Sequence, residues 1–188
     1  MKKLGIAVVT LAFVLTLAGC SSGRKAVDEL AQDYPGYIHD KLGVDEGDID
    51  EIDASTLQPA FAFEGSYYYI NNGDYPSADC RVYDNADEAR EEFETYYDAF
   101  NEAFDEASVD GEYECCLGDD YGYIVVDGSF PGAAIFGNRA RTDSGFYAGV
   151  YYSGNTVVAV IPRNDLTGSD VEDVISRLGL PMANGQNT

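Results

Sequence analysis

The stretch FYAGVYYSGNTVVAVI, Phe146 to Ile161, constrains this chain most, because it reads as one hairpin with two apolar faces. Gly154-Asn155 supplies a two-residue turn, and the residues on either side alternate with a period of two. In that register Phe146, Ala148, Val150 and Tyr152 share a face with Val157, Ala159 and Ile161. Tyr147 and Tyr151 share the other with Val158 and Val160. A strand pair that is apolar on both sides must be covered on both sides. The hairpin therefore belongs in the middle of a sheet, not at its rim.

Around it the same period predicts strands at Ser66–Asn71, Ala78–Tyr83, Tyr113–Leu117, Tyr121–Asp127 and Ala133–Gly137, separated by Gly- and Asp-rich turns. Three segments switch to helical spacing. The first spans about Lys25 to Gly43, interrupted or kinked at Pro35, with Val27, Leu30, Ala31, Tyr34, Ile38 and Leu42 as its buried stripe. The second runs from Ala86 to Ala107. Asn85 and Glu88 form a capping-box-like start, and Ala89, Phe93, Tyr97, Phe100, Phe104 and Ala107 form one face. The third starts at Ser169 with Glu172 as its box partner, buries Val171, Val174, Ile175 and Leu178, and stops at Gly179 and Pro181. Between the first helix and the first strand, VDEGDIDEID reads as an acidic linker. The pattern predicts an α+β fold, a mostly antiparallel sheet of about six or seven strands with helices packed against it. It fits one domain over residues 27–181, followed by a flexible tail at 182–188.

The first residues carry a different message. MKKLGIAVVTLAFVLTLAGCSSG begins with Lys2 and Lys3, continues through an apolar run from Leu4 to Thr16, and reaches small residues before Cys20. The run is too short for a comfortable membrane span. Leu17-Ala18-Gly19-Cys20 resembles the lipobox of bacterial membrane lipoproteins. The resemblance implies a signal peptide over 1–19, removed before Cys20, and acyl chains on the Cys20 thiol and often on its new amino end. Residues 20–26 are then a lipidated tether. Two or three acyl chains, at about 0.8 kcal/mol per buried methylene, hold stably where one would not. The alternative is an ordinary secretory signal with a chance cysteine. On the lipobox reading the protein is exported and anchored in the cell membrane through a lipid bilayer contact, facing outside the cytoplasm.

Charge and composition narrow the chemistry. There are 34 acidic against 11 basic side chains, a formal net charge of −23, and two of the lysines leave with the leader. Such a surface repels nucleic acid and anionic headgroups, so no nucleic-acid partner is expected, and an anchor must be the acyl chains. The acids are spread along the chain, which suits solvation; a cationic or metal-bearing partner is the sharper alternative. Asp45, Asp48, Asp50 and Asp53 fall within nine residues and are weak calcium candidates. They lack the D-x-D-x-D-G order and terminal Glu of an EF-hand loop. The single histidine, His39, has no G-x-S-x-G elbow to serve, and one histidine with adjacent cysteines does not make a zinc set. Neither G-x-G-x-x-G after a strand nor a P-loop occurs, so no cofactor is implied.

Fifteen tyrosines and no tryptophan leave the aromatic work to Tyr and Phe. Tyr67 and Tyr69 in one strand, and Tyr147 and Tyr151 in another, are candidate ligand-binding residues for stacking on sugars or packing on a protein. Filling a core is their plain alternative. Arg139 and Arg141, in GNRARTDS, form a local basic spot that a salt bridge to Asp143 would neutralise. With no coherent catalytic set, the expected function is a lipid-anchored, non-enzymatic domain binding an extracellular ligand or protein, with a glycan or protein as the possible partner. The alternatives are an envelope enzyme acting on glycans through paired carboxylates, and an accessory subunit of a membrane complex.

With Cys20 given to lipid, Cys80, Cys115 and Cys116 remain. Outside the cytoplasm a disulfide can persist, and Cys115 and Cys116 point to opposite faces of their strand. The expectation is a bridge from Cys80 to one of them across the long helix, with the other left buried and reduced.

Overall fold

The computed structural model describes residues 22–59, 61–105, 110–129, 146–163 and 166–183. The fold is α+β. Helix α1 (22–32) and helix α2 (Tyr34–Leu42) lead into strand β1 (Ile49–Asp53), β2 (Gly65–Ile70) and β3 (Ser77–Tyr83). Helix α3 (Ala86–Asp105) precedes β4 (Asp110–Leu117), β5 (Tyr121–Ser129), β6 (Phe146–Ser153) and β7 (Thr156–Ile161), and α4 (Gly168–Leu178) closes the chain of elements.

The seven strands form one sheet in the order β1-β2-β3-β7-β6-β5-β4, and every neighbouring pair is antiparallel. Two meanders, β1–β3 and β4–β7, are joined edge to edge where β7 pairs with β3. The β6–β7 hairpin is central, as its two apolar faces require. Its turn closes Ser153 opposite Thr156, with Gly154 at φ +55°. One face of the hairpin, Ala148, Val150, Tyr152, Val157, Ala159 and Ile161, packs under Ala89 and Phe93 of α3. The other, Tyr147, Tyr151, Val158 and Val160, packs under Val27, Leu30, Ile38, Val174 and Ile175 of the remaining helices. The result is three layers: α3, the sheet, then α1, α2 and α4.

The first helical segment breaks at Asp33, not at Pro35. Asp33 leaves the helical region and its carboxylate accepts the Gly36 N–H at 3.1 Å, which starts α2 afresh. Pro35 sits in that first turn, where its missing N–H costs nothing. Tyr34 stacks on Tyr68 with ring centroids 5.5 Å apart, and its hydroxyl donates to the Ala78 carbonyl. Of the expected stripe, Ala31 is only partly covered; the other five residues are buried.

Several expectations need correction. The acidic linker contains β1, which pairs with β2 from Ile49↔Ile70 to Asp53↔Ser66. Its charges are tolerated because β1 is an edge strand, open to solvent along one side. The tether is largely a helix: residues 22–26 belong to α1, and Ala26 is buried. Met182 and Ala183, assigned to the flexible tail, are buried against the domain. Asn85 does cap α3, as expected, but through the Asp87 N–H at 2.9 Å, and the box at α4 is Thr167 with Asp170, not Ser169 with Glu172. There the Asp170 carboxylate accepts the Thr167 N–H at 2.7 Å. The strand expected at Ala133–Gly137 and the loop carrying Arg139, Arg141 and Asp143 lie outside the described residues, as do the side chains of Phe100, Phe104 and Ala107.

The disulfide expectation fails on strand order. Cys80 is on β3 and the doublet is on β4, with β7, β6 and β5 between them. Four inter-strand steps of about 4.8 Å put them roughly 19 Å apart, far beyond the 4.4–6.8 Å typical of bridged Cα atoms. All three stand as thiols. Cys80 is fully buried, and burial pushes its thiol up, with Asp79 adding to the shift. Cys115 faces α3, where the Tyr97 hydroxyl lies 3.6 Å from its sulfur, and Cys116 packs with the opposite layer.

Two predictions follow from these local arrangements. Peptide mapping of the non-reduced protein yields no fragment linking Cys80 to Cys115 or Cys116; such a fragment would contradict the strand order. The Asp170 carboxyl is held below its ordinary range by the Thr167 N–H first and the Thr167 hydroxyl second. A depressed carboxyl contributes stability above its unfolded pKa, and that stability is lost as pH falls through the folded value. Asp170→Asn therefore lowers stability at neutral pH by about 0.5–1 kcal/mol, and the difference from the native chain shrinks as the pH drops below about 4. Urea titrations at several pH values measure this.

Candidate functional site

On the α3 side, the helix covers β3, β7, β6 and β5. Beside it, the β1–β2 end of the same face has polar and aromatic side chains in ordered rows. The pairings Tyr67↔Arg81 and Tyr69↔Asp50 put these four side chains on one face with Asp79 and Ser77 of β3. Tyr67 and Tyr69 are half-buried, their rings stacked with centroids 5.4 Å apart. The Tyr67 hydroxyl donates to Asp79 at 2.7 Å, and Ser77 donates to the other Asp79 oxygen at 2.5 Å, so this buried carboxylate is satisfied by two hydroxyls. Tyr69 bonds Asp50, which pushes its phenol up, with burial adding to the effect.

Arg81 is the hinge between this row and α3. Its guanidinium lies over the Tyr67 ring at 5.9 Å and pairs with Glu92 of α3. Burial opposes the charge on Arg81, yet neighbouring Tyr96 and Glu92 outweigh it and raise its pKa. The Tyr83 phenol is pushed up, by burial first and by Glu92 second, against a downward pull from Arg81.

Where the loop before β2 comes back toward α3, a cavity of about 300 Å³ opens over Arg81. Phe61, Phe63 and Tyr83 make one wall, and Glu88, Glu91 and Glu92 make the other. Phe63 packs on Tyr83 with ring centroids 4.3 Å apart, whereas Phe61 is 69% exposed at the mouth. Residues 88, 91 and 92 follow i, i+3, i+4 spacing, so one turn of helix brings three carboxylates to one side. Glu92 is neutralised by Arg81, and no ion pair is recorded for Glu88 or Glu91 among the described residues. The groove thus offers aromatic surface facing uncompensated negative charge.

The other candidate residues divide sharply. Tyr67 and Tyr69 adjoin the groove through Arg81, but Tyr147 and Tyr151 present no surface to a ligand. Both are buried on the opposite face and clasp the C-terminal segment: Tyr151 donates to the Pro181 carbonyl at 2.8 Å, and the Ala183 N–H donates to the Tyr147 hydroxyl at 2.9 Å. Burial pushes the Tyr147 phenol up to about 12, with the Ala183 N–H working against it. Of the calcium candidates, Asp45 and Asp48 line one open hollow with Asp74, and Asp50 lies apart from them. Asp45 precedes a single helical turn, Asp48 accepts from the Asn72 amide at 2.9 Å, and Asp50 faces Tyr69 on β1. Among the described residues no three His, Cys, Asp or Glu side chains come together as a metal set. His39 is exposed in the last turn of α2, its Nδ1 2.8 Å from the Val44 carbonyl.

Sequence reasoning missed Phe61, Phe63, Arg81 and Glu92. The available signal was slight: a lone arginine inside the apolar strand ADCRVY, and the alternating aromatics of FAFEG just before β2.

No family model matches this chain, and no curated protein or solved structure matches it either.

The Arg81–Glu92 pair yields a direct prediction. Their side chains are 26% and 31% exposed. Glu92→Gln leaves a half-buried guanidinium without its counter-charge and costs about 1–2 kcal/mol, below the 3–5 typical of fully buried pairs. Replacing both by Leu or Met recovers most of that loss. A Glu92→Gln variant as stable in urea as the native chain would contradict the assignment.

Proposed function

We propose that this chain is a lipid-anchored cell-surface lipoprotein whose domain binds, without catalysis, an extracellular protein segment through the groove beside α3. The observation that carries the reading is the pairing of exposed Phe61 with the carboxylates of Glu88 and Glu91 across a cavity of about 300 Å³. Aromatic surface opposite uncompensated negative charge suits a segment presenting a lysine or arginine next to apolar side chains. Tyr67 and Tyr69 extend the aromatic surface beyond Arg81.

The glycan-hydrolase alternative draws less support from the same groove. Hydrolysis of a glycosidic bond needs two carboxyl groups on opposite sides of the sugar, about 5–10 Å apart. Glu88, Glu91 and Glu92 all rise from one helical wall, and the facing wall is aromatic. That arrangement grips a cation better than it flanks a bond.

The anchor reading rests on the Leu17-Ala18-Gly19-Cys20 pattern. Among the described residues no helix is long and apolar enough to cross a membrane. Cys20→Ser is expected to move the protein from the membrane fraction to the soluble export fraction.

The binding claim is tested with the full chain against arrays of basic–apolar peptides, acidic peptides and oligosaccharides. Basic–apolar peptides are retained, and Phe61→Ala combined with Glu91→Lys weakens them at least about tenfold. Because both side chains are at the surface, thermal stability changes little. Retention that ignores both substitutions, or that is confined to oligosaccharides, would overturn the groove as the site.

A further inference from the structure

Strand β1 is the sheet edge beyond β2, and its backbone is paired along one side alone among the described residues. The Asn71 N–H donates to the Asp48 carbonyl at 2.7 Å, which fixes the alternation of the ladder. Asp50 and Ile52 therefore turn their N–H and C=O groups toward β2, and Ile49, Glu51 and Asp53 turn theirs outward. The flanking turns use two of these outward groups. The Ile49 N–H donates to the Glu46 carbonyl, and the Asp53 carbonyl accepts the Thr56 hydroxyl at 2.7 Å. The Ile49 carbonyl, both groups of Glu51 and the Asp53 N–H have no partner among the described residues. One further antiparallel strand would bond all of these, with a pair of bonds at its centre and a single bond toward each end.

Native edges are commonly blunted by a proline, a bulge or lysines. β1 reads IDEID and pairs with β2 without interruption, so it has none of these. What it has is the carboxylates of Asp50, Glu51 and Asp53. Their partners are neutral: Tyr69 for Asp50, the Tyr68 hydroxyl at 2.9 Å for Glu51, and the Ser55 hydroxyl at 2.7 Å for Asp53. Among the described residues none of the three is paired with a base. The negative charge at this edge is therefore uncompensated, and it is selective. A second copy is rejected, because two β1 strands centred on each other set Glu51 against Glu51 in chains of formal net charge −23. An acidic strand is rejected for the same reason. A strand with bases opposite Asp50, Glu51 and Asp53, and apolar residues opposite half-buried Ile49 and Ile52, is accepted.

We infer that β1 is a strand-addition site for an extended basic segment of another protein, which becomes the next strand of the sheet. This goes beyond the groove and rests neither on it nor on the anchor. The groove opens over Arg81 of β3, two strand positions from β1 and about 10 Å along the sheet. It receives side chains over one face, whereas the edge receives a backbone. Backbone bonds carry no sequence preference, so the three carboxylates select the partner, and binding weakens as salt screens them.

The probe is an end-blocked peptide with the core Lys-Val-Lys-Lys-Val, which in antiparallel register sets its central lysine opposite Glu51. The nitrogen-labelled full chain is titrated with it and followed by NMR. The Glu51 and Asp53 amides shift and become protected from hydrogen exchange, whereas those of Asp50 and Ile52, already bonded to β2, gain no protection. N-methylation of the central lysine amide, which donates to the Glu51 carbonyl, weakens binding at least about fivefold. N-methylation of the lysine after it, whose N–H points away from β1, changes binding by less than about twofold. Both changes are in the peptide, so neither disturbs the fold of the protein. Equal effects of the two methylations, equal binding of a peptide with glutamates for lysines, or an unmoved Glu51 amide at about 1 mM peptide overturns the site. Shifts confined to Phe61, Glu88 and Glu91 give the peptide to the groove and overturn the edge alone.

Discussion

The structure depends on the burial of the β6–β7 hairpin from both sides. Ala148, Val150 and Tyr152 on one face, and Tyr147 and Tyr151 on the other, leave no side that water can occupy. Once that pair is central, helices must cover both faces, and the two meanders must meet at β3 and β7. Helix α3 provides one cover as it crosses from β3 to β4. The other is a composite of α1, α2 and α4, held by the Tyr34 contact to β3 and the Tyr37 hydroxyl bonding the Leu178 carbonyl at 2.8 Å.

Coverage also explains where function can reside. Helix α3 is narrower than the sheet, so the β1–β2 end of its face is only half sheltered. There the chain places side chains that tolerate half-burial: stacked tyrosines, a carboxylate satisfied by hydroxyls, and an arginine neutralised across to the helix. The Phe61–Glu91 groove lies along the boundary between sheltered and unsheltered sheet. The composite layer that covers the opposite face includes α1 from residue 22 onward.

What was legible in the sequence was whatever depends on neighbours along the chain. The Gly154-Asn155 turn, the register of its hairpin and the stripe of α4 are local, and they follow from alternation and spacing. Pairing across the sheet is not local. Cys80 and Cys115 flank one helix in sequence, yet β7 returns beside β3 and separates their strands. Tyr69 and Tyr147 are the same residue type in similar strands, and only strand order decides that one is half-exposed and the other buried. β1 was hidden for another reason: IDEID carries the charges expected of a linker, and an edge strand can afford them. The groove was hardest to see, since Phe61, Arg81 and Glu92 come from three segments that only the folded chain brings together.

Native-state hydrogen exchange tests the central claim most directly. If the hairpin is the doubly buried core, the amides of Val150, Val158 and Val160 exchange only through global unfolding. The amides of edge strand β1 open well before that. Exchange of β6 and β7 at rates equal to or faster than β1 would contradict a sheet organised around this hairpin.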